Sequence, residues 1–266
     1  MKKIAFLMAV PVAVISCHES KQTVAKNSDW LSDNLSGKVQ QLTDSTFKTD
    51  STGKVTGLDS CCVVTSNYDM RGYYTTYVSV NKAGTDKEEG IYTHDSGGLY
   101  TGQKLLKNGR IMSTQTVENK NGVYSGAQDF DSTNKMVAYY TDITTNDYAR
   151  VTGFKQFKPD STLKSTMKFH YDDQFFKDQS FMDSSGKEIS TYAVTLDDKN
   201  NVVESTSKEI KKVAAKKDST VTTVTRYRYD AYDSTGNWTQ RTEMNEKGKP
   251  VNIVKRTIIY YIDYID

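Results

Sequence analysis

Among groups able to move a proton, attack a carbon or hold a metal near neutral pH, the sequence supplies three histidines, three cysteines and 33 carboxylates. Imidazole is the usual general base at that pH. His18 stands beside Cys17, His170 alternates with Lys168 on what reads as the wet face of a strand, and His94 opens the turn-like run His94-Asp95-Ser96-Gly97-Gly98. For metal, Cys61 and Cys62 have no second soft pair and no His-x-x-x-His occurs. A bridge between those neighbouring thiols would strain the peptide, because adjacent strand residues point to opposite faces. They read as two small strand residues, with a redox switch as the alternative. Two carboxylates from distant strands can meet in a barrel mouth and act on a glycoside. The candidates Asp172, Asp173, Asp197 and Asp198 sit at turns, where solvation is the default. The expectation is no catalytic residue, no metal ligand and no cofactor.

One cysteine does have a chemistry. Lys2 and Lys3 precede an apolar run from Ile4 to Ile15, and Ser16 places a small residue before Cys17, the order of a secretory signal peptide. The junction Val14-Ile15-Ser16-Cys17 resembles a lipobox. The resemblance implies a thiol alkylated by diacylglycerol, cleavage before Cys17 and acylation of the new amine. The apolar run is too short to span a bilayer, which takes roughly 18 residues or more, whereas several acyl chains make a stable anchor. Ser96 and its neighbours are similar to the Gly-Asp-Ser-Gly-Gly around the nucleophile of trypsin-like proteases. Here His94 replaces the first glycine and no upstream histidine but His18 could act as base.

Removal of residues 1–16 takes Lys2 and Lys3 from the 35 basic residues, leaving 33 against 33 acidic ones. A neutral body gives no electrostatic reason to expect nucleic acid. Residues 17–36 read as the lipidated cysteine and a polar spacer, with one or two helical turns over Asp29–Leu35 that Gly37 can end. Residues 37–266 form the body.

What positions any site in that body is strands. Turn-forming residues recur near 84, 97, 109, 122, 134, 147, 160, 173, 186 and 200, nine intervals over 116 positions, or about 13 each. That is one strand and one tight turn. Leu163, Ser165, Met167, Phe169 and Tyr171 alternate with Lys164, Thr166, Lys168 and His170, a period of two. Tight turns join antiparallel neighbours only. The fold class is therefore all-β: a long antiparallel up-and-down meander of β-hairpin repeats. With a dozen or more strands it curls into a sheet that folds over or a barrel-like roll. An aromatic residue precedes an Asp-Ser-Thr-like turn at Asp50, Asp131, Asp160, Asp183 and Asp233. These aspartates are 81, 29, 23 and 50 apart, close to multiples of two strand periods, so one hairpin reads as the repeating unit.

The stretch Tyr229-Asp230, Tyr232-Asp233-Ser234-Thr235-Gly236-Asn237-Trp238 and Arg256-Thr257-Ile258-Ile259-Tyr260-Tyr261 resembles YD (RHS-like) repeats. Leu35-Ser36-Gly37-Lys38-Val39 with Leu42-Thr43-Asp44-Ser45-Thr46-Phe47 resembles the opening strand of small Bacteroidota lipoproteins that carry them. The resemblance implies a hairpin array in the cell envelope and brings no activity. Asp-Ser-Thr at 44, 50, 131, 160, 218 and 233 resembles a Bacteroidota O-glycosylation acceptor. That implies glycans on Ser45, Ser51, Ser132, Ser161, Ser219 and Ser234, with turn chemistry as the competing explanation.

With 18 Tyr and 9 Phe, some rings are expected to line a surface that stacks on sugar or protein. The doublets Tyr73-Tyr74 and Tyr139-Tyr140 are the binding candidates, each predicted to put one ring on each face. The reading is a lipid-anchored envelope protein of the cell membrane, outer membrane rather than inner, facing periplasm or surface. Its partners are the membrane through the anchor and a glycan or envelope protein, with no nucleic acid. A carboxylate-dependent glycoside hydrolase, and an immunity or chaperone-like partner of a secreted protein, are the alternatives.

Overall fold

The computed structural model describes residues 28–172, 175–211 and 219–262, with Ser60, Cys61, Cys62 and Lys211 described in backbone only. The signal segment, Cys17, Asp173 and the thiols of Cys61 and Cys62 lie outside that description.

A four-residue helix α1 (Asp29–Ser32) precedes sixteen strands: β1 (Val39–Thr49), β2 (Val55–Tyr68), β3 (Tyr74–Val80), β4 (Lys87–His94), β5 (Tyr100–Lys107), β6 (Arg110–Lys120), β7 (Val123–Asp131), β8 (Met136–Thr145), β9 (Val151–Phe157), β10 (Leu163–Asp172), β11 (Phe175–Asp183), β12 (Glu188–Leu196), β13 (Val202–Lys211), β14 (Ser219–Tyr232), β15 (Trp238–Met244) and β16 (Pro250–Tyr260). Each strand pairs antiparallel with the one before it, and β1 pairs with β16 to close a barrel. The expected meander is present, and closure decides between a roll and a folded-over sheet. An open twisted sheet of this many strands would be unusual and would leave two unpaired edges.

The turns form as their residue types dictate. Asp50 Oδ1 accepts the Thr52 N–H at 2.9 Å, the Thr52 hydroxyl at 2.6 Å and the Lys54 N–H at 3.0 Å, while Gly53 takes φ +87°. Asp131 and Asp183 repeat this pattern. The turns at Asp50, Asp131, Asp160 and Asp183 all lie at one mouth of the barrel, here the far mouth. Asp233 lies at the near mouth, because three strands, β12 to β14, separate it from Asp183. The hairpin unit therefore breaks before the last repeat. Asp44-Ser45-Thr46 is not a turn but the middle of β1, paired on both sides with β2 and β16.

Directly paired residues share a face, so the register traces each wall around the ring. Leu42 faces Ser66, which faces Tyr77, then Gly90 and Leu105. In the other direction Leu42 faces Ile258, Asp44 faces Arg256, and Val254 faces Arg241, which faces Tyr229. This is the inner wall, because Leu42 packs with Trp30 of α1. Many of its side chains, including Phe154, Met167, Phe181, Tyr192, Val194 and Tyr229, are only half-buried. A barrel filled by side chains would bury them, whereas sixteen strands enclose a water-wide lumen. The outer wall exposes Lys104, Lys155, Lys168, His170, Arg226 and Lys255 along the strands. A Lys or Arg on a lipid-facing wall costs about 2–4 kcal/mol at the bilayer midplane.

Candidate functional site

Residues 28–37 lie across the near mouth. The N–H groups of Asp29 and Trp30 both donate to the Gly72 carbonyl, at 2.8 and 3.2 Å. The Tyr74 N–H donates to Asp29 Oδ2 at 2.6 Å, and Trp30 Nε1 donates to the Val39 carbonyl at 2.7 Å. Tyr68 donates its hydroxyl to Asp33 Oδ2 at 2.5 Å, and Tyr74 donates to the same oxygen. Asn34 donates to the Lys199 carbonyl at 3.0 Å, and the Ser36 N–H donates to Asn237 Oδ1 at 2.7 Å. His94, at the end of β4, brings Nε2 to 3.9 Å from Asp29 Oδ2. The β4/β5 and β12/β13 hairpins are eight strands apart in a ring of sixteen, so they stand on opposite sides. A segment that reaches both is a stopper in the mouth. Gly72 is required beneath it, since a Cβ there would sit 2.6 Å from the Trp30 indole.

The stopper buries charge. Asp29 is 3% exposed, and burial, only partly opposed by the Tyr74 N–H, lifts its carboxyl to about 7. Burial also raises Asp33 against the lowering effect of its two tyrosine hydroxyls. His94 is pushed down by burial. Arg150, in the β8/β9 turn, is 3% exposed with Nε and Nη2 unpartnered, and burial lowers its guanidinium to about 10.

Above the stopper a hydrogen-bonded belt runs along the inner wall over six consecutive strands. Tyr100 donates to Gln115 at 3.1 Å, Gln115 to Asp129 at 2.9 Å, and Tyr140 to the other oxygen of Asp129 at 2.5 Å. Gln156 then donates to the Tyr140 hydroxyl at 2.8 Å, and Ser165 to Gln156 at 3.1 Å. Rings flank the belt: Phe154 meets Tyr140 edge-on at 5.4 Å and Phe169 at 6.0 Å. Across the lumen Arg256 grips Asp44 with Nε and Nη2 at 2.8 and 2.9 Å and lies 3.5 Å over the Trp238 ring. Tyr140, Phe169 and Trp238 are each 5% exposed, so these rings pack the wall, while Phe154 keeps part of its face open beside the fixed amides and carboxylate.

Of the aromatic candidates, Tyr139 and Tyr140 divide between the walls as expected. Tyr139 stacks on Phe157 at 5.2 Å and Tyr140 joins the inner belt. Tyr73 and Tyr74 do not divide. Tyr73 precedes β3 in a turn and stacks on His94 at 5.0 Å, Tyr74 stacks on Tyr68 at 4.8 Å, and both serve the stopper. Ser51, Ser132 and Ser161 are exposed in far-mouth turns, Ser219 is exposed where β14 begins, and Ser234 is exposed at the near mouth. Ser45 is half-buried within β1. Asp172 and Asp198 are exposed, and Asp197 ties its own turn through the Lys199 and Asn201 N–H groups. Asp29, Asp33 and Arg150 carry no motif in the sequence, and His94 reads there only as part of a turn. The available signal was Trp30 and Leu35, two large apolar residues inside a segment read as a polar spacer.

Fold and site together define a closed sixteen-strand β-barrel with a stopper and an aromatic lumen. No family model and no curated protein matches the sequence. Among solved structures, a porin-like protein from Bacteroides uniformis aligns with a TM-score of 0.52 and 11% identity, over 84% of this chain and 98% of that one. A porin-like protein from Bacteroides vulgatus aligns at TM-score 0.26 and 10% identity over 84% and 99%, and TcdB2-TccC3 at 0.30 and 11% over 79% and 13%. The likeness to the first is one of fold.

Proposed function

We propose that the protein is a non-enzymatic envelope lipoprotein, tethered through Cys17, whose barrel stands in water and binds glycan along its inner wall. The observation that carries this reading is the charge spread along the outer wall. A spanning barrel turns apolar residues and aromatic girdles outward and polar residues inward. This barrel turns Lys104, Lys155, Lys168 and Arg226 outward beside exposed apolar residues such as Ile91, Val137 and Ile259, and its inner wall mixes Tyr140, Phe154, Phe169 and Trp238 with Gln115, Asp129 and Gln156. Charge on the wall that lipid would cover is what sets it apart. The porin-like neighbour from Bacteroides uniformis supports an envelope setting. The hydrolase alternative has a carboxyl pair in the barrel mouth, Asp29 and Asp33, but Asp29 is 3% exposed and Asp33 already accepts two tyrosine hydroxyls. Neither is presented to a substrate.

Palmitate labelling and fractionation of the natural host test the tether. The wild-type chain is expected to carry label and pellet with membranes, and Cys17→Ala to be unlabelled and soluble. A Cys17→Ala chain that still resists extraction would contradict it. Titration with soluble oligosaccharides, read by Trp238 fluorescence, tests the lumen, with loss of the response expected in Phe154→Ala, which removes a half-buried ring.

A further inference from the structure

We propose that residues 28–37 form a pH-operated stopper, closed over the near mouth in acid and loosened as the surroundings become alkaline. The inference concerns the mouth itself and holds whether or not glycan is the ligand.

The stopper has little structure of its own. Helix α1 has four residues, too few to persist alone. Ser28 makes no side-chain cap, and its Oγ is buried without a partner. Closure therefore depends on docking, which the Trp30 indole anchors and Asp29 modulates. Its carboxyl faces Asp69, Tyr73 and the Tyr74 N–H from the β2/β3 hairpin, Tyr92 and His94 from β4, Tyr124 from β7, Arg150 from the β8/β9 turn and Asp33 from its own segment. As a neutral acid Asp29 suits this pocket, with Oδ2 accepting the Tyr74 N–H. As a carboxylate it meets two further carboxyl groups and a neutral imidazole, and Arg150 attracts it without offsetting the burial.

The sign follows from linkage. Asp29 holds its proton to about 7 when docked, against 3.8 when free. The contribution to closure is complete below the free value and is lost as pH rises through the docked one. Between pH 5 and pH 8.5 the closing equilibrium is expected to weaken about a hundredfold.

The test uses the mature protein with Trp238→Phe, so that Trp30 alone reports. Acrylamide quenching of Trp30 is expected to rise between pH 5 and pH 8.5, and Asp29→Asn to remove most of the step, Asp33 supplying the remainder, while leaving Trp30 shielded. Hydrogen exchange of the wild-type chain, corrected for intrinsic rates, is expected to show residues 29–35 losing protection over that range while β10 does not. Unchanged or increased protection at high pH, or an Asp29→Asn chain that keeps the whole step, would overturn the proposal. If Asp29→Asn does not fold, the wild-type exchange decides.

Discussion

Asn34 donates its side-chain amide to Asn201 Oδ1 at 2.9 Å, joining residues 167 positions apart. The same segment is held at Gly72 on the β2/β3 hairpin, so a few polar bonds pin it at separate points of the rim.

Those bonds should be individually modest and the indole decisive. Asn34→Ala is expected to weaken closure by about 1 kcal/mol, and Trp30→Ala, which empties a site 3% exposed, by about 3–5 kcal/mol. Hydrogen exchange checks both, through faster exchange at the Leu35 N–H, which bonds the Trp30 carbonyl at 2.7 Å, with the barrel strands unaffected.

Arg150 should be a stability liability. It is a buried guanidinium with two unpartnered nitrogens, and its removal relieves a desolvation penalty. Arg150→Met is expected to leave the thermal midpoint unchanged or to stabilise by up to about 2 kcal/mol. A fall of that size in calorimetry would show that the charge is needed.

Arg256 presents the opposite case, because Asp44 occupies its Nε and Nη2. Asp44→Ala strands the cation on the inner wall and is expected to cost about 3–5 kcal/mol. Asp44→Ala with Arg256→Met should recover most of that loss in a double-mutant cycle under denaturant.

Overall stability should fall from pH 5 to pH 8. Burial raises Asp29, Asp33 and Asp129, so their favourable contribution is lost as pH climbs through their folded values, to about 7 for Asp29. For Asp29 alone this is about 2–3 kcal/mol over that interval. His94, pushed down from 6.5 by burial, opposes the trend within this interval, whereas Asp50, Asp131 and Asp160, shifted down by their own turn hydrogen bonds, titrate below it and leave the slope unchanged. Thermal melts at the two pH values check the sign.

The sequence made the strands legible because period-two alternation and turn chemistry are local. Leu163 to Tyr171 form the face that reading assigned, and Asp50, Asp131 and Asp183 tie their turns through their own side chains. Closure was half-legible, since strand number strains an open sheet without saying how the ends meet. The stopper was not legible. Asp29 and His94 become neighbours only when β4 and the segment before β1 reach the same mouth, and a polar segment with one tryptophan resembles a spacer until the ring is closed. Asp44-Ser45-Thr46 misled for a related reason: turn-forming residues inside a strand are held there by partners in β2 and β16.

An outer wall that faces water is what a lipid-tethered barrel of this kind requires above all. Gel filtration of the mature chain with Cys17→Ser in detergent-free buffer, followed by flotation with liposomes, tests it directly. A monodisperse monomer that stays at the bottom of the gradient is predicted. A chain that needs detergent, or that floats with the vesicles, would contradict it.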